Sequence, residues 1–260
     1  MSNPKTLSKN KPISIHARKI YRLLLRIAVS LIIINLASLW IEKAVAPKSF
    51  ISNALIYFFD VSLENNIPAL FSTLILLTSG VLLFFIYRIS VRQQDKRKGY
   101  WLLLSLVFVF LSIDESTGVH EQFNKLRNVI GDDPSGLLHY TWILPYSIFA
   151  LAAGIFFMKF LFSLPVKTRN LFILSGGMYV FAALAFELPE GYITTKYGAG
   201  HTYDKLFCTF EEFMEMYAII LFIYALLQYI AGFNASIRFI AEEDKDAPEA
   251  VVSASREAAQ

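Results

Sequence analysis

Apolar residues fall along this chain in six blocks of twenty or more positions, separated by short segments that carry most of the charge. The blocks cover residues 20–41, 67–87, 100–121, 137–162, 170–190 and 206–230. At about 1.5 Å of rise per residue, each block predicts a helix able to cross a hydrocarbon layer of about 30 Å with some tilt. The pattern therefore predicts an all-α fold, a polytopic integral membrane protein built as a six-transmembrane-helix bundle. Pro68 suits the first turn of the second helix, where its missing N–H costs nothing. Pro145 lies inside the fourth block and predicts a kink there. Trp40, Trp101 and Trp142, with Tyr21, Tyr87 and Tyr100, read as interfacial anchors near block ends. Gly176-Gly177 predicts a close helix–helix approach.

The segments between the blocks are unequal. Phe50, Ile51, Leu55, Ile56, Phe58 and Phe59 crowd residues 49–59, which predicts an interfacial or re-entrant helix; a loop packed on the bundle is the alternative. Residues 1–19 read as a disordered basic cytoplasmic tail, 20–232 as the six-helix transmembrane domain, and 233–260 as a mostly disordered cytoplasmic tail.

Composition narrows the class further. Hydrophobic residues make up 55% of the 260 and charged ones 17%, with a mean hydropathy of +0.49. A soluble fold of this size needs more charge to cover its surface. A soluble enzyme, a nucleic-acid binder and a secreted disulfide scaffold are disfavoured; the single cysteine, Cys208, permits no intrachain disulfide. Eighteen of the 24 Lys and Arg lie in the N-terminal segment through Arg26, the loops 88–98 and 159–169, and the C-terminal tail. That asymmetry places both termini in the cytoplasm, and the short loops fit a bacterial plasma (inner) membrane.

The carboxylates carry the candidate chemistry. In the third block only fourteen positions, 100–113, precede Asp114-Glu115. They rise about 21 Å, too little to cross, so the helix is expected to carry Asp114, Glu115, His120 and Glu121 through the outer leaflet. Glu187 and Glu190 end the fifth block, while Asp204, Cys208, Glu211, Glu212 and Glu215 open the sixth. At about 100° per residue those five share an arc of about 100°, and Asp114, Thr117, His120 and Glu121 share one of about 120°, with Glu115 pointing elsewhere. Three helices thus bring acids to one depth on the outer side.

An ionisable side chain within a membrane helix costs several kcal/mol and usually faces a cavity or a partner. Clustered carboxylates in a low dielectric need protons, a basic group or a metal. Carboxylate with imidazole suits Zn²⁺, Mn²⁺ or Fe²⁺, and His120, Glu187, Glu211 and Glu215 are the candidate metal ligands. Asp114, Glu121 and Glu212 are the candidate catalytic groups, Glu212 as the proton carrier. Taken singly, Glu190, Glu121 and Asp204 read as helix-end acids that reach solvent, and the whole cluster also fits a structural polar network. His139 reads as interfacial and His201 as a loop residue.

Ser116-x-x-x-His120 is similar to one element of the seven-span hydrolase superfamily that includes the alkaline ceramidases. That likeness implies a zinc ion held by three histidines with support from Ser and Asp. The present chain has six predicted spans and lacks the later His-x-x-x-His pair, so the likeness stops at five residues.

The pattern best fits a membrane-embedded enzyme that opens outward, depends on a divalent metal and acts on a lipid or membrane-associated substrate. A proton- or cation-coupled transporter would need polar residues in the inner half, where residues 101–110 read Trp-Leu-Leu-Leu-Ser-Leu-Val-Phe-Val-Phe. A non-catalytic assembly subunit, docking a basic partner on Glu42, Asp132 and Asp133, is the third reading. Partners beyond the bilayer, a lipid and a divalent cation are not legible.

Overall fold

The computed structural model describes residues 16–44, 49–126 and 136–233. Most of both expected disordered tails, and the loop segment with Asp132 and Asp133, lie outside these residues. Among the described residues the secondary structure is helical, with no strand. In chain order the helices are α1 (Ala17–Ala44), α2 (Phe50–Phe59), α3 (Ile67–Arg92), α4 (Lys98–Thr117), a short α5 (Val119–Gln122), α6 (Ile143–Phe162), α7 (Val166–Ala185), α8 (Glu187–Tyr197) and α9 (Thr202–Ala231). Six runs are long and apolar enough to cross a bilayer: α1, α3, α4, α6, α7 continued by α8, and α9.

The helix α9 is the centre of the bundle and packs on α1, α3 and α7. Ile220, Ile223, Ala225 and Leu226 along it are essentially fully buried. The outer helices instead present large apolar side chains outward, among them Ile148 and Leu151 at 71% and 67% exposure. Such an apolar exterior is what a hydrocarbon solvent demands. Between α3 and α4 the close approach is made by Gly80, whose added Cβ would lie 3.0 Å from Val109 Cγ2. There the Ser105 hydroxyl donates to the Gly80 carbonyl at 2.8 Å.

Four sequence expectations change here. The third block does not run on to residue 121. It stops at Gly118, which adopts a left-handed φ of 58° that glycine accepts without strain, and its N–H caps the Asp114 carbonyl at 2.8 Å. The fourth helix starts at Ile143, so Pro145 sits in the first turn, where it breaks no hydrogen bond and produces no kink. Trp101 is no interfacial anchor: it is wholly buried against Phe160, Phe172 and Tyr229, because its face of α4 points into the bundle. Trp142 is likewise buried, against His120 and Tyr146, which leaves Trp40 as the exposed tryptophan. Fourth, Gly176 and Gly177 make no close helix contact, since a Cβ built on either would meet nothing within 4 Å.

The fifth block breaks at Phe186, between α7 and α8. Pro189 has no N–H to return to the Ala185 carbonyl, which is the hydrogen bond a continuous helix would need.

The expected helix over 49–59 is present as α2, capped by Ser49, whose hydroxyl accepts from Ser52 N–H at 3.2 Å. Its Phe50 and Ile51 are among the most exposed apolar residues of the chain. The turn after it is bolted to the bundle. Fully buried Asn35 of α1 accepts from Val61 N–H at 3.3 Å and donates to Thr209 of α9 at 2.9 Å. Lys205 of α9 donates to Asp60 at 2.8 Å and to Glu42 at 2.9 Å. Asn66 caps α3 and donates to the Asp60 carbonyl at 2.6 Å. Residue 64 is thereby fixed over the end of α4.

Candidate functional site

The acidic ends of α4, α7–α8 and α9 meet, and two cavities open among them. An acidic cavity of about 700 Å³ is bounded by the α2–α3 turn, α5 and the starts of α8 and α9, with Glu64, Glu121, Glu190, Asp204 and Cys208 in its wall. An apolar cavity of about 760 Å³ lies deeper between α4, α6, α7 and α9, with Asp114, Glu211 and Glu215 at its polar end. Glu115, His120, Glu187 and Glu212 line both. Those four side chains are the partition.

The break at Gly118 turns the chain back on itself, so that His120 returns to Asp114. The His120 N–H donates to Asp114 Oδ1 at 2.7 Å, and its ring Nδ1 lies 3.3 Å from the same oxygen. Tyr146 of α6 donates to Asp114 Oδ2 at 2.9 Å, and Trp142 packs edge-on to the imidazole at 5.0 Å. Asp114 is thus buried and fully engaged in orienting its neighbours. Burial works against a charged His120, but its hydrogen bond to Asp114 outweighs that and raises the imidazole above its ordinary value.

Glu64 completes a cluster that the sequence did not reveal. The ligand atoms of Glu64, His120 and Glu121 all lie within 4.8 Å of one another, a separation from which small side-chain rotations reach a common divalent ion at ligand distances of about 2.0–2.2 Å. A Cβ on Gly118 would sit 2.7 Å from Glu64 Oε2, so glycine is required there for space as well as for φ. Burial, and then the charge of Glu121, push the Glu64 carboxyl above its ordinary range.

Of the residues singled out from the sequence, His120 and Glu121 join this trio and Asp114 supports it. Glu187 and Glu212 stand at the partition, whereas Glu211 and Glu215 line the deeper cavity. Glu187, Glu211 and Glu215 therefore do not share one coordination sphere with His120 among the described residues. Glu115 differs from expectation: it lines both cavities, while Thr117 is exposed and bonds back to Ile113 O. The expected arc was drawn through His120 and Glu121, which lie past the break at Gly118, where phase counted along an unbroken helix no longer applies.

Glu190 does not reach solvent. It is 6% exposed, and its Oε1 is buried without a hydrogen-bond partner, as is Glu187 Oε2. Glu121 is exposed. Asp204 is occupied locally, accepting from Thr194 at 2.8 Å and from Gly200 N–H at 3.0 Å.

Lys205 lines the acidic cavity, but it serves the α2–α3 turn. Burial raises Asp60, yet the hydrogen bonds from Lys205 and Ser62 outweigh it and hold the carboxyl below its ordinary range. Among the described residues no Lys or Arg pairs with Glu115, Glu187, Glu190, Glu211, Glu212 or Glu215. His139 and His201 lie outside the cluster, beside Thr195 and at the start of α9 respectively. Exposed Ser116 donates to Ile113 O at 2.9 Å, so the five-residue likeness to the seven-span hydrolases does not carry into the site.

The basic end is closed. Phe108 stacks on Phe222 at 4.6 Å, Phe172 meets Phe222 at 4.7 Å, and Phe160 meets Trp101 at 4.8 Å. Both cavities lie on the acidic side of this aromatic layer or end at it.

Residues 24–229 match the model of a family described as Domain of unknown function (DUF8692), and the chain belongs to that family. The match runs from α1 to α9 and includes every acid discussed above. No curated protein and no solved structure matches the chain.

Proposed function

We propose that this member of the family is a membrane-embedded, divalent-metal-dependent enzyme whose pocket opens on the non-cytoplasmic side and acts on a lipid or membrane-associated substrate. One observation carries the reading: Glu64, His120 and Glu121 converge while Asp114 occupies the second side of the imidazole. With Nδ1 directed at Asp114, Nε2 is left to bind a metal, and a carboxylate behind a ligating histidine fixes its ring and raises its basicity. Zn²⁺, Mn²⁺ or Fe²⁺ suits this donor set. Such an ion, when bound, supplies an activated water or a polarised substrate bond.

The chain's own groups do the rest. Asp114 and Tyr146 orient His120. Glu212 and Glu115 stand between the acidic cavity and the apolar one, where a carboxyl can pass a proton between water and substrate. Glu187, with its unpartnered buried oxygen, stands at the same partition, outside the Glu64–His120–Glu121 trio, where it faces a substrate and not the metal. The basic end of the bundle faces the cytoplasm of a bacterial inner membrane, by the same Lys/Arg asymmetry that orients helical membrane proteins generally.

The aromatic layer favours this reading over a carrier. A proton or cation path would need polar groups through the basic half, and Phe108, Phe222, Phe172 and Trp101 fill it instead. The test is turnover. Protein stripped by chelation and reloaded with Zn²⁺, Mn²⁺ or Fe²⁺ is incubated with a bacterial membrane lipid extract, and products are followed by mass spectrometry. Metal-dependent products from the wild type, lost in Glu212→Gln, are expected. Identical lipid profiles with and without metal would refute the proposal.

A further inference from the structure

The apolar cavity is unusual in where its walls part. At the basic end α4 and α6 are joined by aromatic contacts: Tyr100 stacks on Phe160 at 5.2 Å and Trp101 meets it edge-on. At the acidic end they are joined again by the Tyr146–Asp114 hydrogen bond. Between these levels the two helices separate, and the cavity occupies the gap.

Its lining mixes aromatic rings, such as Phe149, Tyr179 and Phe181, with small and aliphatic side chains such as Leu104, Ala150 and Gly154. Gly154, Gly176 and Gly177 each face open space, since a Cβ on any of them would meet nothing within 4 Å. A glycine that approaches nothing is not serving helix packing. Here three of them keep a channel wide. Along α4 the lining runs from Leu104 to Asp114 and along α6 from Tyr146 to Leu161, about 15 and 22 Å at 1.5 Å per residue. The first length equals one leaflet of a hydrocarbon core of about 30 Å, and the second reaches about half a leaflet further. The volume falls within the range of about 300–1,000 Å³ typical of ligand pockets.

The two ends of this channel differ in chemistry. The floor is the aromatic layer of Phe157, Phe160 and Phe172. The roof is Glu115, His120, Glu187, Glu211, Glu212 and Glu215, and among the described lining residues there is no Lys or Arg. Glu187 brings a buried oxygen without a partner to that roof. A long apolar slot closed at one end and acidic at the other is complementary to an amphiphile.

We propose that the α4–α6–α7 channel binds a single hydrocarbon chain of a membrane lipid. Its head, free of net negative charge and bearing amine, amide or hydroxyl groups, lies among Glu115, Glu187 and Glu212. An anionic head would meet the five glutamates of this roof, with His120 already hydrogen-bonded to Asp114 and Lys205 committed to Asp60 and Glu42. The inference rests on the enzyme reading for the meaning of the head position only; occupancy of the channel is independent of turnover.

The test uses full-length protein in nanodiscs and a long-chain primary amine carrying a mid-chain diazirine. After photolysis, adducts are mapped by peptide mass spectrometry. Adducts on the channel residues of α4, α6 and α7 are expected, competed by unlabelled long-chain amine and not by a long-chain alkyl phosphate. Gly176→Phe and, separately, Gly154→Leu fill open space, and each is expected to abolish the channel adducts with thermal unfolding and metal content unchanged. Adducts confined to outward residues such as Ile148 and Leu151, or channel adducts that persist in both variants, would overturn the proposal. Equal competition by the alkyl phosphate would overturn its charge assignment. Channel adducts in a protein that neither binds metal nor turns over lipid would sink the enzyme reading and leave the channel standing.

Discussion

Gly118 concentrates the site's geometry in one residue. Its left-handed φ of 58° ends α4 and sends His120 back to Asp114, and its missing side chain makes room for Glu64. Gly118→Ala is expected to cost about 1–2 kcal/mol for the left-handed conformation and to push Glu64 out of the trio. Thermal unfolding reads the first effect, and reduced metal content in a still-folded protein reads the second. Asp60 supplies a residue-scale prediction in pH. Its folded-state value lies below the ordinary one, so its contribution is complete above about pH 5 and is lost as pH falls through the depressed value below about 4. Wild type is expected to unfold at higher temperature than Asp60→Asn at neutral pH, with the two converging in acid. Parallel curves at all pH values would show that the Lys205 pair does not hold the turn. At this scale the sequence was partly legible: His120, Glu121 and Glu187 stand out as ionisable groups in apolar company. Glu64 does not, because it sits in a polar turn with no periodicity and reaches the site only through the anchoring of Asp60, Val61 and Asn66.

The helices themselves follow from block length, and their interruptions follow from Gly118, Pro145 and Pro189. Those residues could be seen in the sequence, but their consequences depended on position within a turn. Pro145 near a helix start is harmless, whereas Pro189 past Ala185 leaves a carbonyl without its donor and divides α7 from α8. Facing directions beyond a break are not readable from phase, so an arc drawn through His120 and Glu121 past Gly118 does not define the inward face of α4, and Glu115 lies at the partition. The clearest test at the element scale is Asn35. It links α1, the α2–α3 turn and α9 while wholly buried. Asn35→Ala leaves Val61 N–H and the Thr209 hydroxyl without that partner and is expected to destabilise the protein by about 1–3 kcal/mol. Hydrogen exchange should rise first at the α2–α3 turn; protection unchanged there would contradict the anchoring role.

As a whole the molecule is polarised from a closed, aromatic, basic end to an open, acidic one. The hydropathy pattern and the charge count anticipated that polarity, since both depend on composition along the axis. The division into two cavities was not legible, because it arises from glycines that pack against nothing and from the splaying of α4 and α6. The single thiol, Cys208, lines the acidic cavity and gives a reporter that needs no mutation. In sealed membranes a membrane-impermeant cationic thiosulfonate is expected to modify it from the non-cytoplasmic side, and faster than an anionic one of equal size, because the surrounding carboxylates attract cations. Modification from the cytoplasmic side alone would reverse the orientation. The most direct test of the central claim is metal content per chain, measured by elemental mass spectrometry on protein purified in mild detergent without chelator. A near-stoichiometric divalent metal in the wild type, lost in Glu64→Gln and His120→Gln but kept in Gly176→Phe, is the predicted result. No metal in the wild type after incubation with Zn²⁺, Mn²⁺ or Fe²⁺, or metal that survives both ligand substitutions, would contradict it.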